Sequence, residues 1–212
     1  MSKKPAIGIL GAGKLSVVLS QLITKAGYDV FVSNSKDPSA LALTFSVLAP
    51  DARVVNRAEL IEQSQVIILA LPLSKYTQIP SRALDGKIVI DAMNYWWEVD
   101  GPLEDIHSAS SSSSEQIQSY FKGATVVKAL NHVGYHDLHD HAAMKNTPNR
   151  RSVAIAGNNR EAISTISTLV DTIGFDPLVI GELPAGKFLE PGSHTFGASV
   201  PLDELKELVK QS

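Results

Sequence analysis

The sequence predicts an α/β fold: a doubly wound, mainly parallel sheet with a small C-terminal α/β extension. Short apolar segments alternate with segments of helical spacing, and the apolar segments are apolar throughout rather than at every second residue. Continuous apolar strands are typical of parallel sheets that helices cover on both faces. A Gly-Ala-Gly sequence after the first apolar segment is the third observation, because glycines permit a tight turn from strand into helix.

The predicted elements follow one another in order along the chain. Apolar runs predict strands at 6–10, 29–34, 52–55, 65–71, 87–93, 124–130, 152–157 and 177–181. Helical spacing predicts helices at 16–26, 38–48, 160–173 and 201–212. Pro38 suits the first turn of its helix, where a missing N–H breaks no hydrogen bond, and Gly27 suits a helix end.

Two segments lack clear strand or helix periodicity. The serine-rich segment at 108–116 is predicted to be a solvated loop that leads into a helix. Ser112 can cap that helix, because Glu115 follows three residues later in the arrangement of a capping box. The segment at 131–150, rich in His and Asn, is predicted to be irregular.

Length and composition limit the possible classes of protein. The 212 residues suit one compact domain, predicted as a core at 1–145 with a strand-helix-strand extension at 146–212 packed on it. The net charge of −3 lacks the basic excess that nucleic acids and anionic membranes attract. The absence of cysteine excludes disulfides and thiolate sites and fits a cytoplasmic protein. The sequence has no run of about 18 apolar residues, so no membrane span is predicted.

The glycine turn at Gly11-Ala12-Gly13 is typical of dinucleotide binding. Its spacing is G-x-G-x-x-S, with Ser16 where the Rossmann fingerprint has Gly or Ala. The N-terminus of a helix carries unpaired N–H groups and partial positive charge, which stabilise a pyrophosphate if the backbone can approach it. Gly11 permits the turn, Gly13 lacks a Cβ that would block the phosphates, and Lys14 adds a cation. The alternative is a purely structural turn between strand and helix.

The end of the second strand indicates which dinucleotide binds. NAD-binding domains place Asp or Glu about 20 residues after the glycines to bind the ribose hydroxyls. Here the residues are Ser33, Asn34, Ser35 and Lys36. An acid would repel the 2′-phosphate of NADP(H), whereas hydroxyls, an amide and a lysine would bind it. The segment therefore predicts NADP(H), and an ordinary Asn/Ser turn is the alternative.

Several segments together resemble a known family. Similarity to the NADPH-dependent reductases of the deazaflavin coenzyme F-420 is carried by IGILGAG, VFVSNSK, VIILALP, VIDAMNYW, VVKALNHVG and SVAIAGNN. The same domain occurs in other NADP oxidoreductases, including a class of membrane ferric reductases. The resemblance covers about residues 5–190. It implies a Rossmann core with a small C-terminal part, and direct hydride transfer between NADPH and a flavin-like ring.

The resemblance also implies which residues bind the cofactor. The pyrophosphate would contact Ala12, Gly13, Lys14 and Leu15, and the adenosine phosphate would contact Ser33 to Lys36. The ribose and nicotinamide would be bordered by Leu71, Pro72 and Leu73, with Ala92 and Met93 near the nicotinamide. All of these positions follow or end predicted strands.

Residues after the fifth and sixth strands are candidates for the acceptor site. Ligands of open α/β sheets bind beyond the carboxyl ends of the strands. We predict an acceptor pocket formed by Asn94, Tyr95, Trp96, Asn131 and His132, with the aromatic rings stacking on a planar ligand. Core packing is the alternative for the aromatic residues. Hydride transfer needs chiefly proximity and orientation, so His132 is the candidate catalytic residue only if the acceptor must be protonated.

A histidine-rich stretch lies at 131–141. His136, His139 and His141, with Asp137 and Asp140, are suitable ligand types for a metal, but their spacing matches no recognised metal motif. The alternatives are a polar loop beside the nicotinamide and a solvated surface. We predict the polar loop and no metal.

The sequence therefore predicts an NADP(H)-dependent oxidoreductase that transfers hydride between NADPH and a deazaflavin, flavin or similar small acceptor. The expected partner is that small molecule, not nucleic acid or a membrane, and the small C-terminal part is compatible with a homodimer. Two alternatives stay open at this point: a non-catalytic NADP(H)-binding sensor module, and a dehydrogenase that acts on an imine or a 2-hydroxy acid.

Overall fold

One continuous sheet organises the chain. The structure, a computed structural model, describes residues 4–34, 38–102 and 112–212. Its strands are β1 (Ile7–Leu10), β2 (Val30–Ser33), β3 (Arg53–Val54), β4 (Val66–Leu69), β5 (Ile88–Asp91), β6 (Thr125–Ala129), β7 (Ser152–Gly157) and β8 (Asp176–Gly181). They are ordered β3-β2-β1-β4-β5-β6-β7-β8 across the sheet.

The order and direction of the strands identify the fold. Neighbours from β3 to β6 pair in parallel, β7 is antiparallel to β6, and β8 is parallel to β7. The order of β1 to β6 is that of the Rossmann fold, in which the direction of winding reverses between β1 and β4. The predicted α/β fold with a mainly parallel sheet is thus confirmed. The C-terminal extension continues the same sheet through β7 and β8, while its boundary at residue 145 stays a prediction.

Helices cover both faces of the sheet. They are α1 (Lys14–Lys25), α2 (Pro38–Leu48), α3 (Arg57–Gln63), α4 (Trp97–Asp100), α5 (Ser113–Tyr120), α6 (Tyr135–His141), α7 (Arg160–Thr172) and α8 (Leu202–Lys210). Leu19 of α1 and Ile166 of α7 pack on one face, and Leu60 of α3 packs on the other. Because both faces are buried, the strands are apolar throughout. None of the helices in the described residues has the length and apolar character of a membrane span.

Two segments test the local predictions. Helix α5 begins as predicted, because the Glu115 carboxylate accepts the Ser112 N–H at 2.7 Å and the Glu115 N–H donates to Ser112 Oγ. Residues 108–111 of the predicted loop lie outside the described residues. The prediction that 131–150 is irregular is wrong in part, since α6 lies within it. Only Leu138 of this helix is buried, which leaves no apolar periodicity to detect.

Candidate functional site

A cleft of about 920 Å³ lies along the carboxyl edge of the sheet. It is lined at successive strand ends by Leu10, Ser33, Ala70, Ala92 and Leu130, which end or follow β1, β2, β4, β5 and β6. Open α/β sheets bind ligands in this crevice. The cleft joins the predicted cofactor residues to the predicted acceptor residues after β5 and β6.

The glycine turn between β1 and α1 forms one wall of the cleft. Gly11, Ala12 and Gly13 all line it. Gly11 has a φ of +137°, and a Cβ there would overlap the carbonyl group of Ala70, so only glycine fits. Gly13 differs, because nothing lies within 4 Å of the position its Cβ would take. Gly11 is therefore required by the protein itself, whereas Gly13 leaves an open space.

The open space lies at the N-terminus of α1. Gly13 is the N-cap residue, no side chain of the described residues caps the helix, and no acidic residue occupies its first turn. The unpaired N–H groups of this turn carry partial positive charge. The open space at Gly13 lies beside these N–H groups, and this combination fits a pyrophosphate.

The residues that follow the glycines differ in their surroundings. Leu15 lines the cleft, whereas the Nζ of Lys14 lies 5.4 Å from the ring centroid of Tyr135. The predicted contact of Lys14 with the pyrophosphate stays a prediction. Ser16 is fully buried, and its Oγ has no hydrogen-bond partner in the described residues. Its small size lets the helix pack closely at the glycine turn.

The cleft has polar residues at the end of β2 and two cations in its lining. Ser33 and Asn34 line it, while Ser35 and Lys36 lie outside the described residues. Two further lining residues, Arg57 and Lys75, are cations that sequence reasoning missed. No Asp or Glu lines the cleft within the described ranges. This balance of charge favours an anionic ligand. The available signal for Arg57 was its place just after the weak third strand.

The middle of the cleft is apolar. Leu71, Pro72, Ala92 and Met93, all predicted near the ribose or nicotinamide, line it. Leu73 does not, because its side chain is 1% exposed and packs in the core under α3. Leu73 therefore supports the wall from behind, and its predicted contact with the cofactor gains no support.

A buried ion pair holds the wall at Met93. Lys128 Nζ lies 3.1 Å from Asp91 Oδ2, and both side chains are 0% exposed. The same Nζ donates to the Met93 carbonyl at 2.7 Å, and Asp91 Oδ1 accepts the Met93 N–H at 3.0 Å. Asp91 Oδ2 also accepts the Ser114 hydroxyl at 2.6 Å. Both polar backbone groups of Met93 are thus bound by the pair, which fixes this part of the cleft.

Two asparagines join the ends of β5 and β6. Asn131 Nδ2 donates to Asn94 Oδ1 at 3.0 Å, and Asn94 Nδ2 donates to the Asn131 carbonyl at 2.8 Å. Asn131 Nδ2 also donates to the Leu189 carbonyl at 2.6 Å. Leu130, just before, has a φ of +65°, a backbone conformation that non-glycine residues rarely adopt and that is enriched at functional sites. The two amides are therefore fixed in position at the rim of the cleft.

Aromatic rings form the outer part of the predicted acceptor pocket. Trp96 and Phe196 both line the cleft and contact each other edge to face, with ring centroids 5.8 Å apart. Tyr95 is not a lining residue, and its hydroxyl donates to the Gly101 carbonyl at 2.9 Å. Phe196 could not be found from its local sequence, because the C-terminal segment reaches the cleft only through the fold. Its neighbour Gly197 donates an N–H to the His132 carbonyl at 2.7 Å.

The surroundings of His132 do not favour a proton donor. Its side chain is 1% exposed, and its Nε2 accepts the Ala154 N–H of β7 at 2.9 Å, which places the ring proton on Nδ1. Burial lowers the pKa of His132 to about 4, against a smaller opposite effect of the Thr195 backbone. The imidazole is therefore neutral near pH 7 and bound to the sheet. His132 nevertheless lines the cleft, and its Nδ1 has no hydrogen-bond partner among the described residues. The contact with β7 is structural, while the predicted catalytic and acceptor-binding roles of His132 stay predictions.

The buried His132 predicts a loss of stability in mild acid. The unfolded chain binds this proton near pH 6.5, but the folded protein binds it only near pH 4, so the free energy of unfolding falls between these values. The expected loss is about 3 kcal/mol, measured by urea denaturation across this range. Asp171, whose pKa is lowered by Arg150 and Lys145, causes a further loss of stability at lower pH, where its carboxylate becomes protonated.

A matched variant isolates this effect. His132→Gln keeps a neutral acceptor for the Ala154 N–H but has no group that titrates, so its stability is expected to vary less between pH 6.5 and pH 4. An unchanged pH dependence in the variant would assign the effect to other groups.

The remaining histidines of the stretch lie on α6. His136, His139 and His141 are exposed, and none of them lines the cleft. His139 and His141 lie beside carboxylates of the same helix, Asp140 and Asp137. The prediction of a polar loop beside the nicotinamide is therefore corrected to an exposed helical surface. In the described part of the chain, no three His, Cys, Asp or Glu residues are grouped to hold a metal.

The sequence of the first part of the chain matches a known protein family. Residues 6–95 match the model of the family described as NADP oxidoreductase, coenzyme F420-dependent. Residues 6–95 thus resemble an NADP oxidoreductase domain. The matched region runs from β1 to the residues after β5, and so includes the glycine turn and most of the cleft.

Curated relatives are similar over most of this chain. Metalloreductase STEAP3 of Rattus norvegicus is 31% identical over 189 residues, which cover 88% of this chain and 36% of that protein. Metalloreductase STEAP2 of Homo sapiens is 24% identical over 191 residues, with 89% and 36% covered. The chain therefore spans about a third of the length of the curated relatives it matches.

Solved structures share the fold. A hypothetical protein of Sinorhizobium meliloti aligns with a TM-score of 0.82 at 25% identity, covering 94% of this chain and 96% of that one. A candidate F420-dependent NADP reductase of an Arthrobacter species aligns with a TM-score of 0.71 at 24% identity, covering 86% of this chain and 87% of that one. An imine reductase of a Pseudomonas species aligns with a TM-score of 0.61 at 17% identity, covering 86% of this chain and 57% of that one. The last two similarities support the Rossmann-like fold alone.

Proposed function

We propose that this chain is an oxidoreductase that uses NADP(H) and transfers hydride between NADPH and a small acceptor of the deazaflavin or flavin type. The observation that carries the proposal is the cleft itself. It runs from the uncapped N-terminus of α1 at Gly13 to the fixed amides of Asn94 and Asn131. Its described lining includes Arg57 and Lys75 but no carboxylate. Such a lining matches an elongated, phosphorylated dinucleotide better than an uncharged ligand.

The residues of the chain would bind the two ends of the cofactor by different means. The N–H groups of α1 would bind the pyrophosphate over Gly13. Ser33 and Asn34, together with Ser35 and Lys36, would bind the adenosine ribose and its 2′-phosphate. No acid in the described lining opposes that phosphate.

The apolar middle of the cleft would orient the nicotinamide. Leu71, Pro72, Ala92 and Met93 would shape that wall and exclude water from the reacting face. NADPH supplies the hydride, so the protein needs chiefly to place the two rings in contact. The buried pair of Asp91 and Lys128 would keep Met93 in position while the ligands exchange.

The acceptor would bind between the strand ends and the C-terminal segment. Trp96 and Phe196 offer ring faces and edges to a planar molecule, and Asn94 lies beside them on the same rim. His132 also lines this part of the cleft, with Nε2 bound by the Ala154 N–H of β7 and Nδ1 without a partner in the described residues.

Oxidation of NADPH against a panel of acceptors tests this proposal. The panel holds flavins, a deazaflavin, quinones and ferric chelates, the last because the curated relatives are named metalloreductases. We expect turnover with at least one flavin-like acceptor, measured as the loss of NADPH absorbance. Tight NADPH binding without turnover on any acceptor would favour the sensor module. Turnover only with imines or 2-hydroxy acids would favour the dehydrogenase.

A further inference from the structure

We infer that Arg57 binds the 2′-phosphate and is a residue that makes the cleft prefer NADP(H) to NAD(H). The inference rests on the proposed function. It adds a specificity residue outside the Ser-Asn-Ser-Lys segment, and one that the fold rather than the local sequence brings into place.

The register of the sheet places Arg57 beside the end of β2. In the pairing of β2 with β3, Val32 lies opposite Val54, and the Val55 N–H donates to the Val32 carbonyl at 3.0 Å. Arg57 follows two residues later, next to the carboxyl end where Ser33 ends β2. The ribose of a Rossmann-bound dinucleotide lies at this strand end. Arg57 lines the same cleft as Ser33.

The guanidinium of Arg57 is held but retains donors for a ligand. Its Nη1 donates to the Gln78 carbonyl at 3.0 Å, and no carboxylate in the described residues forms an ion pair with it. A guanidinium has five N–H donors, of which this contact uses one. The Gln78 contact therefore fixes the group in the cleft lining, and no carboxylate of the described residues neutralises its charge.

The chemistry of the guanidinium matches a phosphate monoester. A phosphate of this kind carries close to two negative charges near pH 7, and arginine binds such groups with two parallel hydrogen bonds. Lys75, the other cation of the described lining, follows β4 and lies farther along the chain from β2. A guanidinium stacked on the adenine ring is the competing arrangement, and it would strengthen NADPH and NADH binding equally.

Calorimetric titration of an Arg57→Gln variant with NADPH, NADH and 2′,5′-ADP separates these arrangements. We expect the Kd values of NADPH and 2′,5′-ADP to rise about tenfold or more, and the Kd of NADH to change less than about twofold. Arg57→Lys, which keeps the charge, is expected to have a Kd for NADPH between those of Arg57→Gln and the wild type. Arg53→Gln is the matched control, because Arg53 is exposed on β3 and does not line the cleft.

Three results would overturn the inference. Equal weakening of NADPH and NADH would indicate stacking on adenine, and an unchanged NADPH affinity would remove Arg57 from the site. A similar loss in Arg53→Gln would indicate a general effect of surface charge. These outcomes require that the wild type binds NADPH. If the wild type binds neither NADPH nor 2′,5′-ADP, the proposed function itself fails.

Discussion

Replacing Gly13 by alanine is expected to leave the fold intact and to remove most of the affinity for NADPH. The space around a Cβ at this position is open, so the variant should keep the melting temperature of the wild type. That same space lies beside the uncapped N–H groups of α1, where the pyrophosphate is proposed to bind. We expect the Kd for NADPH to rise at least about thirtyfold, or roughly 2 kcal/mol, measured by calorimetric titration.

Gly11→Ala is the matched control for that result. Its Cβ would overlap the Ala70 carbonyl group at a φ of +137°, so we expect a loss of about 3 kcal/mol or more in the free energy of unfolding. One glycine thus serves the fold and the other serves the ligand. Wild-type NADPH affinity in Gly13→Ala would place the pyrophosphate somewhere other than this turn.

Replacing Lys128 by methionine is expected to destabilise the protein by about 3–5 kcal/mol. The substitution leaves the charge of Asp91 fully buried without its counter-ion, and it removes the donor to the Met93 carbonyl. Methionine has a similar length, so loss of packing contributes little to the effect. Urea denaturation measures the change, and the midpoint should shift without a change in the slope.

A second substitution tests the origin of the destabilisation. In the double variant Lys128→Met, Asp91→Asn, neither charge of the pair remains, and the amide oxygen introduced in place of the Asp91 carboxylate can still accept the Met93 N–H. We expect the double variant to be more stable than Lys128→Met alone. A loss below about 1 kcal/mol in the single variant would contradict a stabilising role for the pair.

The sheet was predictable from the sequence because its strands are buried on both faces. Apolar runs such as 65–71 and 87–93 correspond to β4 and β5, and their burial leaves no other interpretation of the pattern. The antiparallel direction of β7 was not predictable, since a run buried on both faces has the same composition in either direction. Helix α3 was missed because it has seven residues, although Asn56 caps it through the Glu59 N–H.

The candidate site was predictable where its residues are close together in the sequence. The glycine turn and the strand ends are local patterns, and the structure brings most of them to one cleft. Phe196 and the Asp91–Lys128 pair depend on contacts between distant segments, which no local pattern records. Arg57 had one local signal, its place just after the weak third strand. His132 shows that a polar residue after a strand can bind the sheet through one ring nitrogen and still line the cleft, which its local sequence does not reveal.

Calorimetric titration of the wild-type chain with NADPH and with NADH tests the central claim most directly. The doubly charged 2′-phosphate is proposed to bind at the end of β2, in a cleft whose described lining has Arg57 and Lys75 but no carboxylate. We therefore expect NADPH to bind at least about tenfold more tightly than NADH. Equal or tighter binding of NADH, or binding of neither, would contradict it.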